Sequence, residues 1–241
     1  MEIYDLHNHL LPSIDDGPDD MEETLEIVKI SSNQGVKFIL ATPHKKDVNE
    51  LHSINHIRDL ADKTNELASA RGYEAKIKLG MENHLDTALV GDIQNGCALT
   101  MNEGKYILVE MPWEDIEIDV VSILTDIQDI GLTPVIAHPE RMKMFINNYE
   151  FLHELVDQGA LMQLTASSLY GKFGKEIEVF SHEILSDGLC HIIASDTHMA
   201  RGQREPDLIK GFEFASKIVG PEDAFKLVSD NPRELLNIND I

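Results

Sequence analysis

Seven short apolar runs recur along this chain, at residues 3–7, 36–42, 74–82, 106–110, 133–138, 161–165 and 190–198. Between most of them lie stretches with helical spacing, at 19–34, 52–71, 116–130, 149–158 and 177–186. Three more helices are predicted at 207–219, 221–228 and 232–236. Near-continuous apolar strands alternating with helices predict a parallel sheet buried on both faces. Seven such units without a Gly-rich dinucleotide turn predict a closed (β/α) barrel rather than an open sheet. No linker, repeat or low-complexity stretch interrupts the pattern, so residues 1–241 read as one α/β domain. Residues 83–103 are its most irregular part.

The strands end in a particular kind of residue. His7 and His9 stand one residue apart at the first strand end. Alternate strand side chains share a face, so both imidazoles point the same way. His44 follows the second strand, Glu82 ends the third, Glu110 the fourth and His138 the fifth, while Asp196 and His198 close the seventh. Asp16 lies in the loop after the first. In a barrel these ends share one mouth, where active sites are built. Four carboxylates gathered there cannot all ionise unaided, and divalent cations remove that objection. Imidazole and carboxylate without thiolate favour manganese, iron, zinc or magnesium. Of the six remaining histidines, His52, His56, His153 and His182 fall on predicted helices and His191 begins a strand. His84, two residues after Glu82, is the one further candidate to line the site.

The formal net charge is −23. That disfavours nucleic acid and anionic membrane as partners. It would also repel a phosphorylated substrate unless the field inverts locally. The chain has 20 Lys and Arg, and six of them follow strand ends: Lys45 and Lys46, Arg141 and Lys143, Arg201 and Arg204. They predict a cationic collar around the mouth. Arginine is the better bidentate partner for phosphate, so Arg141 and Arg204 are the expected substrate binders. Two cysteines, no apolar run of membrane length and no signal segment lead us to expect a cytoplasmic protein without membrane insertion. A cysteine-based tyrosine phosphatase needs an Arg six residues after its Cys, but Glu103 follows Cys97 and Asp196 follows Cys190 at that spacing. No Walker loop or Gly-x-Ser-x-Gly elbow occurs either.

Several segments, taken together, resemble the PHP (polymerase and histidinol phosphatase) family. They are His7-Asn8-His9, Asp15-Asp16-Gly17-Pro18, Thr42-Pro43-His44, Gly80-Met81-Glu82, Ala137-His138-Pro139-Glu140-Arg141 and Ser195-Asp196-Thr197-His198. The Leu-Pro-x-x-Asp-Asp-Gly run, residues 163–169 and Asn231-Pro232-Arg233 are similar to its bacterial tyrosine-phosphatase branch, linked to capsule and exopolysaccharide operons. The resemblance implies a distorted seven-stranded barrel with three divalent metal ions, manganese first among the candidates. It implies that His7, His9, Glu82 and Asp196 hold one ion. Glu82 would bridge to a second, shared with Glu110 and His138, and Asp16, His44 and His198 would hold the third. Other branches can carry His where Asp16 and Glu110 stand. The implied activity is metal-assisted hydrolysis of phosphotyrosine without a phosphoenzyme, with Arg141, Arg204 and Asp196 as catalytic residues. The implied substrate is the tail of a bacterial tyrosine autokinase that regulates polysaccharide assembly. The rival readings are a small-molecule phosphatase acting on histidinol phosphate or a nucleotide, and a metal-binding regulatory module without turnover. An amidohydrolase also opens with His-x-His, but the two strand-end glutamates fit it poorly.

Overall fold

The strands and helices follow the apolar pattern closely, and residues 1–113 and 118–237 are described in a computed structural model. The first half runs β1 (Ile3–Asn8), α1 (Met21–Asn33), β2 (Val36–Ala41), α2 (Lys45–Leu51), α3 (Ile54–Ala70), β3 (Lys76–Leu79), β4 (Glu82–His84) and α4 (Leu89–Gln94). The second runs β5 (Tyr106–Glu110), α5 (Val120–Asp129), β6 (Thr133–Ala137), α6 (Lys143–Asn147), α7 (Tyr149–Asp157) and β7 (Leu161–Thr165). It closes with α8 (Lys175–Ser186), β8 (Ile192–Ala194), α9 (Leu208–Val219), α10 (Pro221–Val228) and α11 (Asp230–Leu235). Every strand pair among the described residues is parallel. Residues 116 and 117 of the expected helix 116–130 lie outside the described residues. α1 starts where Asp20 accepts a hydrogen bond from Glu23 N at 3.0 Å, which satisfies one of the free N–H groups of the first turn.

Where the sequence predicts seven strands in one barrel, the described residues form eight strands in two sheets, β1-β2-β3 and β4-β5-β6-β7-β8. The extra strand comes from the run at 74–82, which breaks at Gly80 and Met81. Before the break, Leu79 pairs with Ala41 of β2; after it, Glu82 pairs with Leu108 of β5. Met81 is fully buried, so the run looks unbroken in sequence. Backbone hydrogen bonds join the sheets at both seams. At one, Gly80 N donates to Ala41 O (2.9 Å) and Glu82 N to Pro43 O (3.2 Å). At the other, Asp196 N donates to His7 O (2.9 Å) and His9 N to Thr197 O (2.8 Å). Both seams lie at the C-terminal rim, which draws the strand ends together there.

Both faces of the strands are buried, as continuous apolar runs require. Ile39, Val109, Ile136 and Ile193 share one core with Leu25 of α1, Ile57 of α3 and Ile127 of α5. Leu6, Leu40, Leu108, Val135 and Ile192 form a second cluster, joined by Leu235 at the end of α11. No helix among the described residues is long and apolar enough to cross a membrane.

Two strand ends carry unusual backbone. His138 (φ 36°), directly after β6, and Asp196 (φ 54°), just after β8, are both left-handed. That conformation costs an L-residue about 1–2 kcal/mol. It also explains why the expected strand 190–198 stops at Ala194: the left-handed turn at Asp196 ends the extended run.

Candidate metal centre

Glu82 opens β4 at the seam between the sheets, and four imidazoles surround its buried carboxylate. Oε2 lies 3.1 Å from His44 Nδ1, 3.2 Å from His9 Nε2 and 3.3 Å from His7 Nε2. Oε1 lies 2.8 Å from His138 Nε2. On the far side Asp16 Oδ1 is 3.0 Å from His198 Nε2 and 3.6 Å from His44 Nε2. Glu110 Oε1 is 3.8 Å from His138 Nε2, and its Oε2 is 3.0 Å from His84 Nε2. Asp196 Oδ1 is 3.4 Å from His7 Nε2. The structure therefore brings all nine residues singled out from the strand ends and the first loop into one cluster.

Among the described residues, ligand atoms meet in four overlapping groups, each within 4.8 Å: His7, His9 and Glu82; Glu82, Glu110 and His138; His9, Asp16, His44 and His198; and His44, His84 and Glu110. Asp196 stands outside these groups. Its Oδ2 faces Arg141 Nη2 at 2.9 Å and its Oδ1 faces Arg204 Nη2 at 2.8 Å. Divalent cations fit this donor set. His44 Nδ1, His198 Nε2 and Glu110 Oε2 are buried and each faces another ligand-type atom at 3.0–3.1 Å, yet none makes a well-aligned hydrogen bond among the described residues; crowded polar atoms of that kind are costly unless something binds between them. Imidazole and carboxylate are the ligand types that borderline and hard first-row ions take.

The side chains behind the cluster fix its tautomers. His7 Nδ1 bonds Gln163 Oε1 on β7 at 2.7 Å, which leaves Nε2 facing Glu82. His9 Nδ1 bonds Asp15 Oδ2 at 2.7 Å. Asp15 also accepts from His44 N (3.1 Å) and Gly17 N (3.1 Å). Carboxylate and amide partners of this kind orient imidazole ligands and raise their basicity. Gly17 is required here, because a Cβ on it would sit 2.0 Å from His9 O. Beneath the rim, Asp5 accepts from Ser195 N (2.9 Å) and Asn8 Nδ2 (3.1 Å), which pins the seam that carries Asp196.

Without cations the cluster balances itself with protons. Burial resists charge on Glu82, yet the His7 charge and bonds from His138, His7 and His9 hold its carboxyl well below the usual range. Burial and the Glu82 charge push Glu110 up to about 8. Burial and the Arg141 charge push His138 down to about 3, and burial and His9 push His198 down to about 4. Asp196 is held well below the carboxylate range against its burial, chiefly by Arg141, His7 and Arg204. This yields a signed prediction. Folded, metal-free protein keeps a proton on Glu110 that the unfolded chain releases above its ordinary value of 4.5. The Glu110 contribution to stability is therefore present at low pH and is lost as pH rises from 4.5 towards about 8. Glu110→Gln should stabilise the metal-free protein relative to the native one by a margin that widens over this window and then levels off, on the order of 5 kcal/mol. Thermal melts in chelator across that range check it, and a margin independent of pH would refute it.

The cationic collar is smaller than expected. Arg141 and Arg204 line the cavity, of about 290 Å³, together with Asp16, Glu82 and Trp113. Lys45 instead pairs with Asp92 (2.7 Å) and Asp86 (3.3 Å), and Arg201 with Glu26 on α1 (3.1 Å). His182 bonds Leu169 O and His191 accepts from Met162 N, away from the cluster. Cys190 is buried, and burial pushes its thiol far above the ordinary value. Sequence reasoning missed Asp15, Gln163 and Trp113 as parts of the site. Gln163 carried a signal, since it is an amide inside an apolar strand.

The family described as capsular polysaccharide synthesis, CpsB/CapC, matches the chain over residues 3–237. The chain belongs to this family. Among CpsB/CapC relatives, the tyrosine-protein phosphatase YwqE of Bacillus subtilis is 34% identical over 196 residues, 81% of this chain and 77% of that protein. The tyrosine-protein phosphatase CpsB of Streptococcus pneumoniae is 27% identical over 239 residues, 97% and 98% of the two chains. Crystal structures of those two proteins, described as metal-dependent tyrosine phosphatases, include a chain that superposes with a TM-score of 0.90 at 30% identity. The match covers 99% of this chain and 96% of that one. The fold alone is shared more widely. Dihydropyrimidinase from Brevibacillus agri superposes with a TM-score of 0.61 at 10% identity, over 97% of this chain and 70% of that one.

Proposed function

We infer that this CpsB/CapC chain is a metal-dependent protein-tyrosine phosphatase. The observation that carries the reading is the pairing of two chemistries in one cavity. Arg141 and Arg204 line the same space as the imidazole–carboxylate cluster. Each keeps a buried Nε–H with no partner among the described residues. A donor left like that is costly unless an anion takes it, and guanidinium suits a phosphoryl group.

His7, His9, Glu82 and Asp196 would hold one ion. Glu82, Glu110 and His138 would hold a second, and Asp16, His44 and His198 a third, with manganese the expected metal. When bound, such ions act as Lewis acids and lower the pKa of water to near neutrality. The protein's own groups do the rest. Arg141 is set by Asp196 and by the rings of Phe173 (4.9 Å) and Trp113 (5.6 Å). It and Arg204 hold the phosphoryl oxygens and offset charge growing on them. Phenolate, with a pKa of about 10, departs with less help from an acid than an alkoxide. Neither cysteine is placed to form a phosphoenzyme. In this reading residues 1–241 are one cytoplasmic phosphatase domain whose two sheets act as a distorted barrel. Its substrate is the phosphotyrosine tail of a bacterial tyrosine autokinase that controls capsule or exopolysaccharide assembly.

The test is turnover of a phosphotyrosine peptide and of histidinol phosphate by purified protein, before and after chelation and after return of single ions. We expect activity to vanish on chelation, to return best with manganese, and to favour the peptide. Activity that survives complete metal removal would overturn the reading, and preference for histidinol phosphate would turn it to a small-molecule phosphatase.

A further inference from the structure

A second cavity, of about 720 Å³, opens beside the metal centre between α2 and the segment after β5. Its walls include Lys46, Asn49, Leu85, Pro112 and Trp113. It shares His84, Glu110 and Trp113 with the metal cavity, so the two spaces have a common wall.

Trp113 is the single tryptophan of the chain. Its Nε1 donates to Glu110 Oε1 at 2.7 Å, and its ring lies against His138 with centroids 5.7 Å apart and planes 28° from parallel. The indole is thus held in place at the edge of the cluster. Yet 53% of its surface stays open to solvent. A fixed, half-exposed indole, with His138 and Arg141 against part of its ring and buried Leu85 and half-buried Pro112 beside it, is a preorganised platform for another flat ring.

We propose that this groove takes the aromatic ring of the substrate ester against Trp113, and so makes the enzyme prefer aryl over alkyl phosphates. The proposal rests on the phosphotyrosine phosphatase reading and gives it a physical source of selectivity. With the phosphoryl group between Arg141 and Arg204, the shared wall of His84, Glu110 and Trp113 leads the leaving group into the groove. An alkyl ester reaches the same arginines and leaves the indole wet.

Two non-hydrolysable probes test this on the metal-loaded protein: phenylphosphonate and methylphosphonate. Trp113 fluorescence follows the native protein directly, and calorimetry gives both affinities in every variant. Phenylphosphonate should shift the emission and bind roughly tenfold more tightly than methylphosphonate. Trp113→Ala should remove that gap, and Trp113→Phe should keep most of it. Both probes use the same ions and arginines, so damage to the centre through the lost Glu110 bond cancels in the ratio. Equal affinities in the native protein, or a gap unchanged in Trp113→Ala, would overturn the subsite while leaving the phosphatase reading intact. Failure of both probes to bind would overturn the phosphatase reading, and the subsite with it.

Discussion

Glu82→Gln will remove phosphatase activity by at least on the order of a thousandfold, and with it most of the bound metal. Glu82 belongs to two of the ligand groups at once, and both its oxygens face imidazole nitrogens at 2.8–3.3 Å. Glutamine keeps the shape. It replaces one anionic oxygen with an amide that cannot ligate through its N–H groups. The effect should therefore appear in metal stoichiometry as well as in rate. Elemental analysis of dialysed protein beside kcat on a phosphotyrosine peptide checks both. A variant that keeps its full metal complement and near-native turnover would remove Glu82 from the centre.

Arg141→Ala should lower kcat/KM by a hundred- to a thousandfold, roughly the loss seen when one preorganised donor to a developing oxyanion is deleted. The guanidinium spans several partners at once: Asp196 Oδ2 at 2.9 Å, the Phe173 ring at 4.9 Å and the Trp113 ring at 5.6 Å. Its Nε–H remains free among the described residues. A lysine restores the charge but cannot reproduce the planar fork. Arg141→Lys should therefore stay about a hundredfold below native. Steady-state kinetics with a chromogenic aryl phosphate decide it, and near-native turnover by Arg141→Lys would show that charge alone suffices.

Glu82 and Arg141 both stand out in the amino-acid sequence itself, and the reason is topological. Parallel strands point their C-terminal ends one way, so ligand-type residues at or just past those ends meet in space; Glu82 lies three residues beyond the end of β3, where it opens β4. What stayed hidden depends on contacts between distant segments. In the run at 74–82 only Gly80 hints at where β3 leaves one sheet and β4 enters the other, because the hydrophobic pattern resumes at once with Met81. Of the adjacent pair Asp15 and Asp16, either could face the metals. The fold turns Asp15 inward to His9 and leaves Asp16 58% exposed at the rim. Lys45 and Arg201 follow ligand positions and so resemble members of a collar, but acids on α4 and α1 turn them aside. Trp113 sits three residues beyond Glu110, and nothing local says that its indole returns over the centre.

The left-handed backbone at His138 and Asp196 has a consequence for how such a protein drifts. Glycine at either position would relax the main chain by about 1–2 kcal/mol. It would also strip His138 from Glu82, or Asp196 from Arg141 and Arg204, and a buried charge left without its partner costs more than that. A screen that rewards only soluble yield or heat resistance would therefore retain both strained residues, although it never selects for turnover.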